Sequence, residues 1–425
     1  MASAAETVVV PESADIWLHG MAVSTVFFRD TLAKLGLRFE KLAIAEYKNA
    51  FDELVRQEMS QPQREQLEAL LESMFSSWVE DVAQSRHLSA EAVRAAVDEG
   101  VTSATRAREL GLIDRVAYED EVLEEKAVTL DEAAQSLPVT TPMSRKRVAV
   151  VSLLGGIIVG QSRRSPTPVP VVGGVMAGSE TIIRCLRAAA EDDSTAAVVL
   201  HVDSGGGSAL ASDLIWREVA RLRAKKPVVG VMEGVAASGG YYVLAGCNRI
   251  VAAPQTITGS IGVLTGKLVL EGAYEKLGAN PQLLSRGKFG LLFNPAHGFS
   301  TEERALMERY GREVYERFVA RVAEGRSLTR ERVDEIGRGR VWTGRDALTV
   351  GLVDELGDVE TAVDRACELG GLAAGAPTWN VRAPAQMLLP TRNDPTTWQR
   401  TLGVLLEERA LLLAPPWALG FSATA

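Results

Sequence analysis

The sequence predicts an α/β protein, and three features of the chain carry this prediction. Short β-branched runs closed by glycines alternate with segments of helical periodicity, which is the pattern of parallel strands joined by right-handed helical crossovers. Hydrophobic residues make up 46% of the 425 residues and charged residues 24%, so the chain can bury sizeable cores. Parts of the sequence also repeat themselves, which predicts a tandem arrangement of related units.

The individual elements follow from periodicity and capping. Apolar, valine-rich runs predict strands over residues 148–160, 196–204 and 227–234. Helical periodicity predicts helices over residues 179–192 (with Ser179 as N-cap), over 208–225, and from Ser238 onward. Long amphipathic helices are predicted over residues 60–95 and 300–335.

The internal repeat relates two stretches of the chain at a constant spacing of 240 residues. Residues 60–93 match residues 300–333 at several positions, for example Arg86 against Arg326. An upstream pair of blocks matches at a spacing of 242 residues, so a small length difference separates the blocks. We interpret the match as a duplication.

The two copies are predicted to be unequal in length. The second copy extends back to about Arg147, so a full first copy would need about 90 residues before Met1. We therefore expect the first copy to be incomplete. The predicted units are a partial repeat at 1–128, a linker at 129–146, a complete repeat at 147–372 and a C-terminal extension at 373–425.

Composition excludes several classes of protein. The net charge of −9 offers no basic excess for a nucleic-acid partner. The three cysteines are not spaced as zinc ligands, and no cofactor or metal is expected. No apolar stretch is long enough to span a bilayer, and the N-terminus lacks the features of a secretory signal. If the chain is complete as given, a cytoplasmic location is expected.

Two glycine-rich turns are candidate sites for chemistry. The turn Ser204–Gly207 follows a predicted strand and precedes a helix, so its N–H groups can bind an anion as an oxyanion hole or phosphate cradle, or simply form a tight turn. Ser238 lies at a second strand-to-helix turn, followed by Gly239. Its hydroxyl can be a nucleophile, with the Gly239 N–H donating to an oxyanion, or it can be an ordinary helix N-cap.

A serine nucleophile needs a base, and the sequence offers no obvious histidine for this role. None of the four histidines lies in a recognisable motif with an orienting carboxylate, and His201 is predicted to be a packed core residue because it lies in an apolar strand. Lysine can act as the base where burial removes its charge.

The residues from Gly234 to Gly266, GVAASGGYYVLAGCNRIVAAPQTITGSIGVLTG, resemble the signature of the signal peptide peptidase A (protease IV) family, serine peptidases of the ClpP/crotonase superfamily. HVDSGGGSALASDLI resembles the glycine-rich turn of that family, with Gly205 in place of its usual proline, and GRVWTGRDALTVGLVDELGD resembles its C-terminal signature. The resemblance implies a ClpP/crotonase-like β-α superhelix. It also implies a ring-like homo-oligomer, a membrane-associated location, and cleaved signal peptides or other extended hydrophobic peptides as substrates.

The resemblance also implies roles for individual residues. Ser238 matches the family's nucleophile, Ser260 the serine that orients a catalytic lysine, and Gly206 and Gly239 the oxyanion-hole positions. The lysine that acts as general base is either Lys48, by analogy with long duplicated members, or Lys288, by analogy with short members. Lys48 is preferred because the sequence around it fits the family's lysine motif better.

Three functional hypotheses follow. The first is a serine endopeptidase with a Ser–Lys dyad, which receives its substrate by strand pairing in a groove beside residues 166–178. The second is a catalytically impaired peptide-binding scaffold of the same family. The third is a crotonase-type enzyme acting on acyl-CoA, which would require acidic catalytic residues near the turns.

Overall fold

A computed structural model describes residues 2–122, 146–165, 174–382, 386–387 and 411–413. The predicted linker lies outside these residues except at Lys146, and so does most of the predicted C-terminal extension. The strands are β1 (Val9–Val10), β2 (Arg38–Ile44), β3 (Arg115–Val116), β4 (Arg147–Leu154), β5 (Gly156–Ile158), β6 (Arg163–Ser165), β7 (Gly174–Gly178), β8 (Thr195–Asp203), β9 (Gly206–Ser208), β10 (Val228–Met232), β11 (Val235–Ala237), β12 (Arg249–Ala252), β13 (Ile257–Gly259), β14 (Val263–Val269), β15 (Val341–Thr343), β16 (Glu355–Leu356), β17 (Thr378–Val381), β18 (Gln386–Met387) and β19 (Leu411–Leu413).

Thirteen α-helices connect these strands within the described residues. They span Arg29–Lys34, Asp52–Val55, Gln61–Arg86, Ala90–Glu99, Ala104–Glu109, Ser179–Glu191, Ala209–Arg223, Gly239–Leu244, Glu271–Lys276, Thr301–Arg326, Arg330–Ile336, Gly344–Thr349 and Val359–Gly370.

The central sheet has six strands in the order β16-β12-β10-β8-β4-β17, and every neighbouring pair is parallel. All five residues of β10 are buried, as expected for a strand covered by helices on both faces. The predicted α/β class is therefore confirmed. The superhelical and tandem-repeat details of the fold stay predictions.

Two elements differ from the sequence-based expectation. The strand predicted over 148–160 is divided into β4 and β5 at Gly155, whose φ is 79° and whose hydrogen faces the carbonyl of Val175, so a side chain would not fit there. Ser179 is not the N-cap of its helix. Gly178 occupies that position, and the Ser179 hydroxyl accepts a hydrogen bond from the Gly160 N–H instead.

The long helical segments are also divided. Each forms a helix of 26 residues, Gln61–Arg86 or Thr301–Arg326, followed by a short turn and a second helix. The turn after the second long helix begins at Ser327, which adopts a left-handed φ of 53° that ends regular helical geometry.

Two further sheets bring the candidate site together. β11, β13 and β15 form a three-stranded sheet, and the largest sheet has the order β18-β6-β7-β5-β9-β19-β14-β2. In that sheet β2 pairs with β14 in antiparallel register over seven residues, from Arg38 opposite Val269 to Ile44 opposite Val263. β19 lies between β9 and β14.

The described contacts divide the chain into two compact units. One contains residues 1–23 and 71–143, and the other contains residues 24–70 and 144–425. Residues 24–70 thus group with the rear of the chain, because β2 is hydrogen-bonded to β14. The predicted boundaries at 128, 146 and 372 are not tested by this division and stay predictions.

Three negative observations apply to the described residues. No helix there is both long enough and apolar enough to cross a bilayer. No group of three or more histidine, cysteine or acidic side chains is arranged to hold a metal ion. The cysteines Cys185, Cys247 and Cys367 are all buried and unbridged.

Candidate active site

Ser238 lies at the sharp turn between β11 and the helix Gly239–Leu244. Its backbone has a φ of 56° and a ψ of −113°, a region that a residue with a Cβ adopts only when its surroundings impose it. The Ser238 N–H donates to the Gly259 carbonyl at 2.7 Å, and the Ser238 carbonyl accepts from the Tyr242 N–H at 2.8 Å. These bonds hold the serine in its strained conformation.

The Ser238 side chain does not cap the helix. Although the residue occupies the N-cap position, its hydroxyl makes no capping hydrogen bond. Its oxygen instead lies 2.7 Å from Nζ of Lys48, and the serine is completely buried. The geometry therefore favours the interpretation of Ser238 as a reactive group over its interpretation as a cap.

Lys48 is a buried lysine without an anionic partner among the described residues. It is 1% exposed, and its Nζ lies 3.0 Å from both the carbonyl oxygen and the hydroxyl oxygen of Ser260. Burial lowers the pKa of the Lys48 amine well below its ordinary value, and the nearby positive charge of Lys41 lowers this pKa further. The amine is thus biased towards its neutral form.

The three contacts of this amine match the hydrogen-bonding capacity of a neutral primary amine. The Ser260 carbonyl can only accept, so it takes one N–H of Lys48, and the Ser260 hydroxyl oxygen can take the other. The remaining lone pair then faces the hydroxyl of Ser238, which can donate to it. In this arrangement the amine is ready to receive the serine proton.

The two glycine-rich turns predicted from the sequence lie side by side. Ser204 accepts a hydrogen bond from the Ala237 N–H at 3.0 Å, which ties the first turn to the strand that carries Ser238. A Cβ added to Gly239 would lie 3.1 Å from Cα of Gly206 and 3.2 Å from N of Gly207, so the two predicted oxyanion positions are in contact. Glycine is required here because the backbones approach each other so closely.

The two oxyanion candidates differ in their hydrogen bonding. The Gly239 N–H is the first of its helix, where no intrahelical acceptor exists and where the helix dipole favours negative charge. The Gly206 N–H donates to the Ser204 hydroxyl at 3.1 Å. An oxyanion at Gly206 would therefore have to replace this neutral acceptor.

The loop that carries Lys48 is held from several sides. Ala45 and Phe51 both have left-handed φ values, 81° and 65°, although neither is glycine. On one side Gly339 packs so closely that a Cβ added to it would lie 2.5 Å from the main-chain nitrogen of Lys48. On the other side Lys41 donates to the Lys48 carbonyl at 2.7 Å.

The alternative base and the histidines lie in different surroundings. Lys288 is 60% exposed and forms an ion pair with Glu302 at 2.8 Å. The prediction that His201 is a packed core residue is wrong, because its side chain is 23% exposed and approaches Glu233 at 3.6 Å. His201 and Ala196 are the two partly exposed residues of β8, and the strand ends at the exposed Asp203.

Sequence reasoning missed several residues that shape the site. Lys41 and Asp52 form a buried ion pair behind the Lys48 loop, and Gly339 packs against the Lys48 main chain. The sequence marks Ser204 only as part of a turn, although its carbonyl links the two glycine-rich turns by accepting from the Ala237 N–H. The available sequence signal was the glycine at position 339, since glycine commonly occurs where backbones come into close contact. Gly339 indeed has a positive φ of 78°.

The model of Peptidase family S49 matches residues 1–132 and 220–373, which is more than half of the chain. The chain belongs to peptidase family S49. This family membership confirms the identification made from the motifs around Ser238.

Individual relatives of this S49 chain agree with the family match. It is 34% identical over 369 residues to "Serine protease SPPA, chloroplastic" of Arabidopsis thaliana, a match that covers 83% of this chain and 54% of that protein. It is 30% identical over 396 residues to "Protease 4" of Haemophilus influenzae, with 87% of this chain and 62% of the relative covered. The chain thus spans little more than half of the length of these relatives.

Proposed function

We propose that this S49 chain is a serine endopeptidase in which Ser238 and Lys48 form a catalytic dyad. The observation that carries the proposal is the distance of 2.7 Å between Lys48 Nζ and Ser238 Oγ at a buried site where the amine has no carboxylate partner among the described residues. A protonated lysine buried without a counter-charge is strongly disfavoured, so the neutral, basic form is the one this environment supports.

The proposed reaction moves one proton at each stage. Neutral Lys48 takes the hydroxyl proton of Ser238 as Oγ bonds to the carbonyl carbon of the substrate. The N–H groups of Gly239 and Gly206 donate to the resulting oxyanion. The protonated lysine then delivers its proton to the leaving amine, and the acyl-serine ester remains.

The second half of the reaction restores the enzyme. Water attacks the acyl-serine carbonyl while Lys48 accepts a proton from it, and the same proton returns to Ser238 Oγ when the ester bond breaks. Ser260 is proposed to orient Lys48 throughout, because its carbonyl and hydroxyl fix the direction of the amine lone pair.

Extended peptides are the proposed substrates, and strand pairing beside Ser238 supports this. Leu411–Leu413 pairs in antiparallel register with Gly206–Ser208, so the main chain at the oxyanion turn accepts a β-strand. The groove first predicted beside residues 166–178 is less suitable in its described part, since β7 is already paired with β5 and β6. We place substrate binding along β9, where a peptide would take the place of the three-residue strand β19.

The name of one relative supports the proposed substrate class. One of them, from Enterococcus faecium, is named "Putative signal peptide peptidase SppA" and is 37% identical over 180 residues. We propose cleaved signal peptides and other extended hydrophobic segments as substrates. A ring-like homo-oligomer and a location near a membrane also stay proposals.

The repeat suggests how the site is divided between the two copies. Lys48 belongs to the segment predicted as the first copy and Ser238 to the second, and β2 joins β14 between them. We propose that the first copy supplies the base and the second supplies the nucleophile.

A fluorophosphonate probe tests the proposed nucleophile. Ser238 Oγ displaces fluoride from phosphorus, and the modified residue is then identified by mass spectrometry of the peptide that contains it. We expect labelling of the wild-type chain at Ser238, no labelling of Ser238→Ala, and a loss of apolar peptide hydrolysis of at least about a thousandfold in that variant.

The outcomes separate the hypotheses. The wild-type chain and Ser238→Ala should show the same thermal unfolding transition, because the replaced hydroxyl is small. An unlabelled wild-type chain across a range from about pH 7 to about pH 10 would instead support the non-catalytic scaffold, and full activity of Ser238→Ala would exclude Ser238 as the nucleophile.

A further inference from the structure

A second buried lysine, Lys41, lies directly behind the lysine of the proposed dyad. It is on β2, and its side chain is 9% exposed. Its Nζ donates to the Lys48 carbonyl at 2.7 Å and to Oδ1 of Asp52 at 2.5 Å. One ammonium group thus connects the main chain of the proposed base to the carboxylate of Asp52, which lies four residues further along the chain at the start of a short helix.

The hydrogen bonds of Lys41 help to hold a loop that contains two strained residues. The residues Ala45 and Phe51 flank Lys48 in left-handed conformations, and each such conformation is unfavourable for a residue with a Cβ. Asn49 adds a bond from Nδ2 to Oδ2 of Asp52 at 3.1 Å. Both oxygens of Asp52 are therefore used to close the loop around Lys48.

We propose that Lys41 is a positioning residue for Lys48, which fixes the main chain from which the amine extends and adds a second positive charge near that amine. The inference rests on the proposed Ser–Lys dyad and deepens it. A neighbouring cation disfavours a second charge on Lys48, an effect that adds to burial.

The charges around the loop support this arrangement. Asp52 contacts Lys41 directly, so it favours the charged form of Lys41 against the burial that lowers the pKa of this lysine. Burial raises the pKa of the neighbouring Glu53 carboxyl, which weakens its negative charge near the loop. The other charged groups that face the loop are Glu46, Arg56, Glu65, Arg338 and Arg340.

Arg56 shares the Asp52 carboxylate with Lys41, at 3.4 Å from Oδ2, and the arginines of the 338–340 segment have other partners. Arg338 forms ion pairs with Glu46 and Asp334, and Arg340 lies over the rings of Tyr47 and Trp342. Lys41 is thus the cation that is hydrogen-bonded to the main chain of Lys48 itself.

The test compares the pH dependence of Lys41→Met with that of the wild type. Removal of the positive charge raises the pKa of Lys48, so the acid limb of kcat/KM, and of fluorophosphonate labelling at Ser238, should move to higher pH. We expect a shift of about one pH unit, which is an approximately tenfold loss near pH 7 that is recovered above about pH 9. A purely structural role would lower the rate by the same factor at every pH.

Lys267→Met is a matched control. Lys267 is a buried lysine on the adjacent strand β14 that donates to the carbonyls of Leu292 and Asn294, and burial lowers its pKa as well. Its replacement should lower thermal stability to a degree similar to that of Lys41→Met but leave the acid limb in place. Lys41→Arg, which keeps the charge and the donors, should restore the wild-type limb.

Each outcome decides the inference. If Lys41→Met is labelled with an unshifted acid limb, the inference is overturned while the dyad stands. If Lys41→Met does not fold, Lys41→Gln takes its place. The inference then requires the shift of the acid limb in Lys41→Gln and its absence in Lys41→Arg. If wild-type Ser238 is never labelled, the dyad itself fails, which is a distinguishable result.

Discussion

Lys48 and Lys288 are separated by the 240-residue spacing of the sequence repeat, yet their surroundings are opposite. Lys48 is buried, with its Nζ close to Ser238 and Ser260. Lys288 is 60% exposed and paired with Glu302. Position in a repeat therefore does not give a lysine its chemistry, whereas removal from water and from carboxylates does.

The difference begins in the residues that precede each lysine. β2 is paired with β14 over seven residues and leads into the strained loop around Lys48. The residues that correspond to β2 at the same spacing of 240, 278–284, form no strand. Without a strand to anchor it, the second segment leaves its lysine at the surface, where an ordinary ion pair contributes little.

The strongest test of this comparison replaces each lysine by methionine. Lys48→Met removes the proposed base, so we expect a loss of at least about a thousandfold in kcat/KM for an apolar peptide. Lys288→Met removes a solvated ion pair and should change kcat/KM by less than about twofold. Steady-state hydrolysis with both purified variants provides the measurement.

The same pair of variants can break the comparison. Comparable losses in both, or a larger loss in Lys288→Met, would move the role of base away from Lys48. Thermal unfolding serves as the control, since methionine fills the buried space of Lys48 and both variants should remain folded.

A second test changes a glycine near each lysine. Gly339 has a φ of 78° and lies against the Lys48 main chain, whereas Gly287 has a φ of 83° with no atom within 4 Å of an added Cβ. Gly339→Ala should displace Lys48 and reduce kcat/KM by about a hundredfold, because small displacements of reacting groups are costly. Gly287→Ala shares the backbone strain, of about 1 kcal/mol, but should retain activity.

These two alanine variants separate strain from displacement. Both should lose a similar increment of thermal stability through their positive φ, and Gly339→Ala should lose somewhat more through steric contact. Wild-type activity in a folded Gly339→Ala chain would show that the Lys48 loop is not held from this side.

Sequence patterns predicted much of the fold and the sharp turn at Ser238. The alternation of strands and helices gave the central parallel sheet, and the small residues around Ser238 indicated a close approach of backbones, which Gly206 and Gly239 make. The capping role of Ser179 was wrong because Gly178 and Ser179 are both compatible with a helix start. One residue of register decides such cases, and local patterns do not fix it.

The surroundings of Lys48 were beyond the reach of local patterns. Its burial depends on a strand pair between residues more than 200 positions apart and on Gly339, which is even further along the chain. The ion pair of Lys41 and Asp52 has no sequence signature, since both residue types are usually solvated. Family resemblance selected Lys48, but tertiary packing determines its chemistry.

The finest test concerns β19, which lies in the same sheet as β2, the strand that leads to Lys48. β19 pairs with β9 and β14, in the place where we propose that substrates bind. Leu412→Pro removes an N–H donor from this strand and disfavours its pairing. Because β19 would then no longer compete with the substrate for β9, KM for an extended peptide should fall by about two- to tenfold, with kcat little changed.

Leu412→Val is the control for this last variant, because valine keeps the N–H and suits a strand. It should retain the wild-type KM, and the rate at which an amine-reactive reagent modifies the exposed Lys288 should be the same in all three chains. A KM that is equal in the proline and valine variants would show that β19 does not compete with substrate. Peptides would then bind beside Ser238 without displacing the chain's own strand.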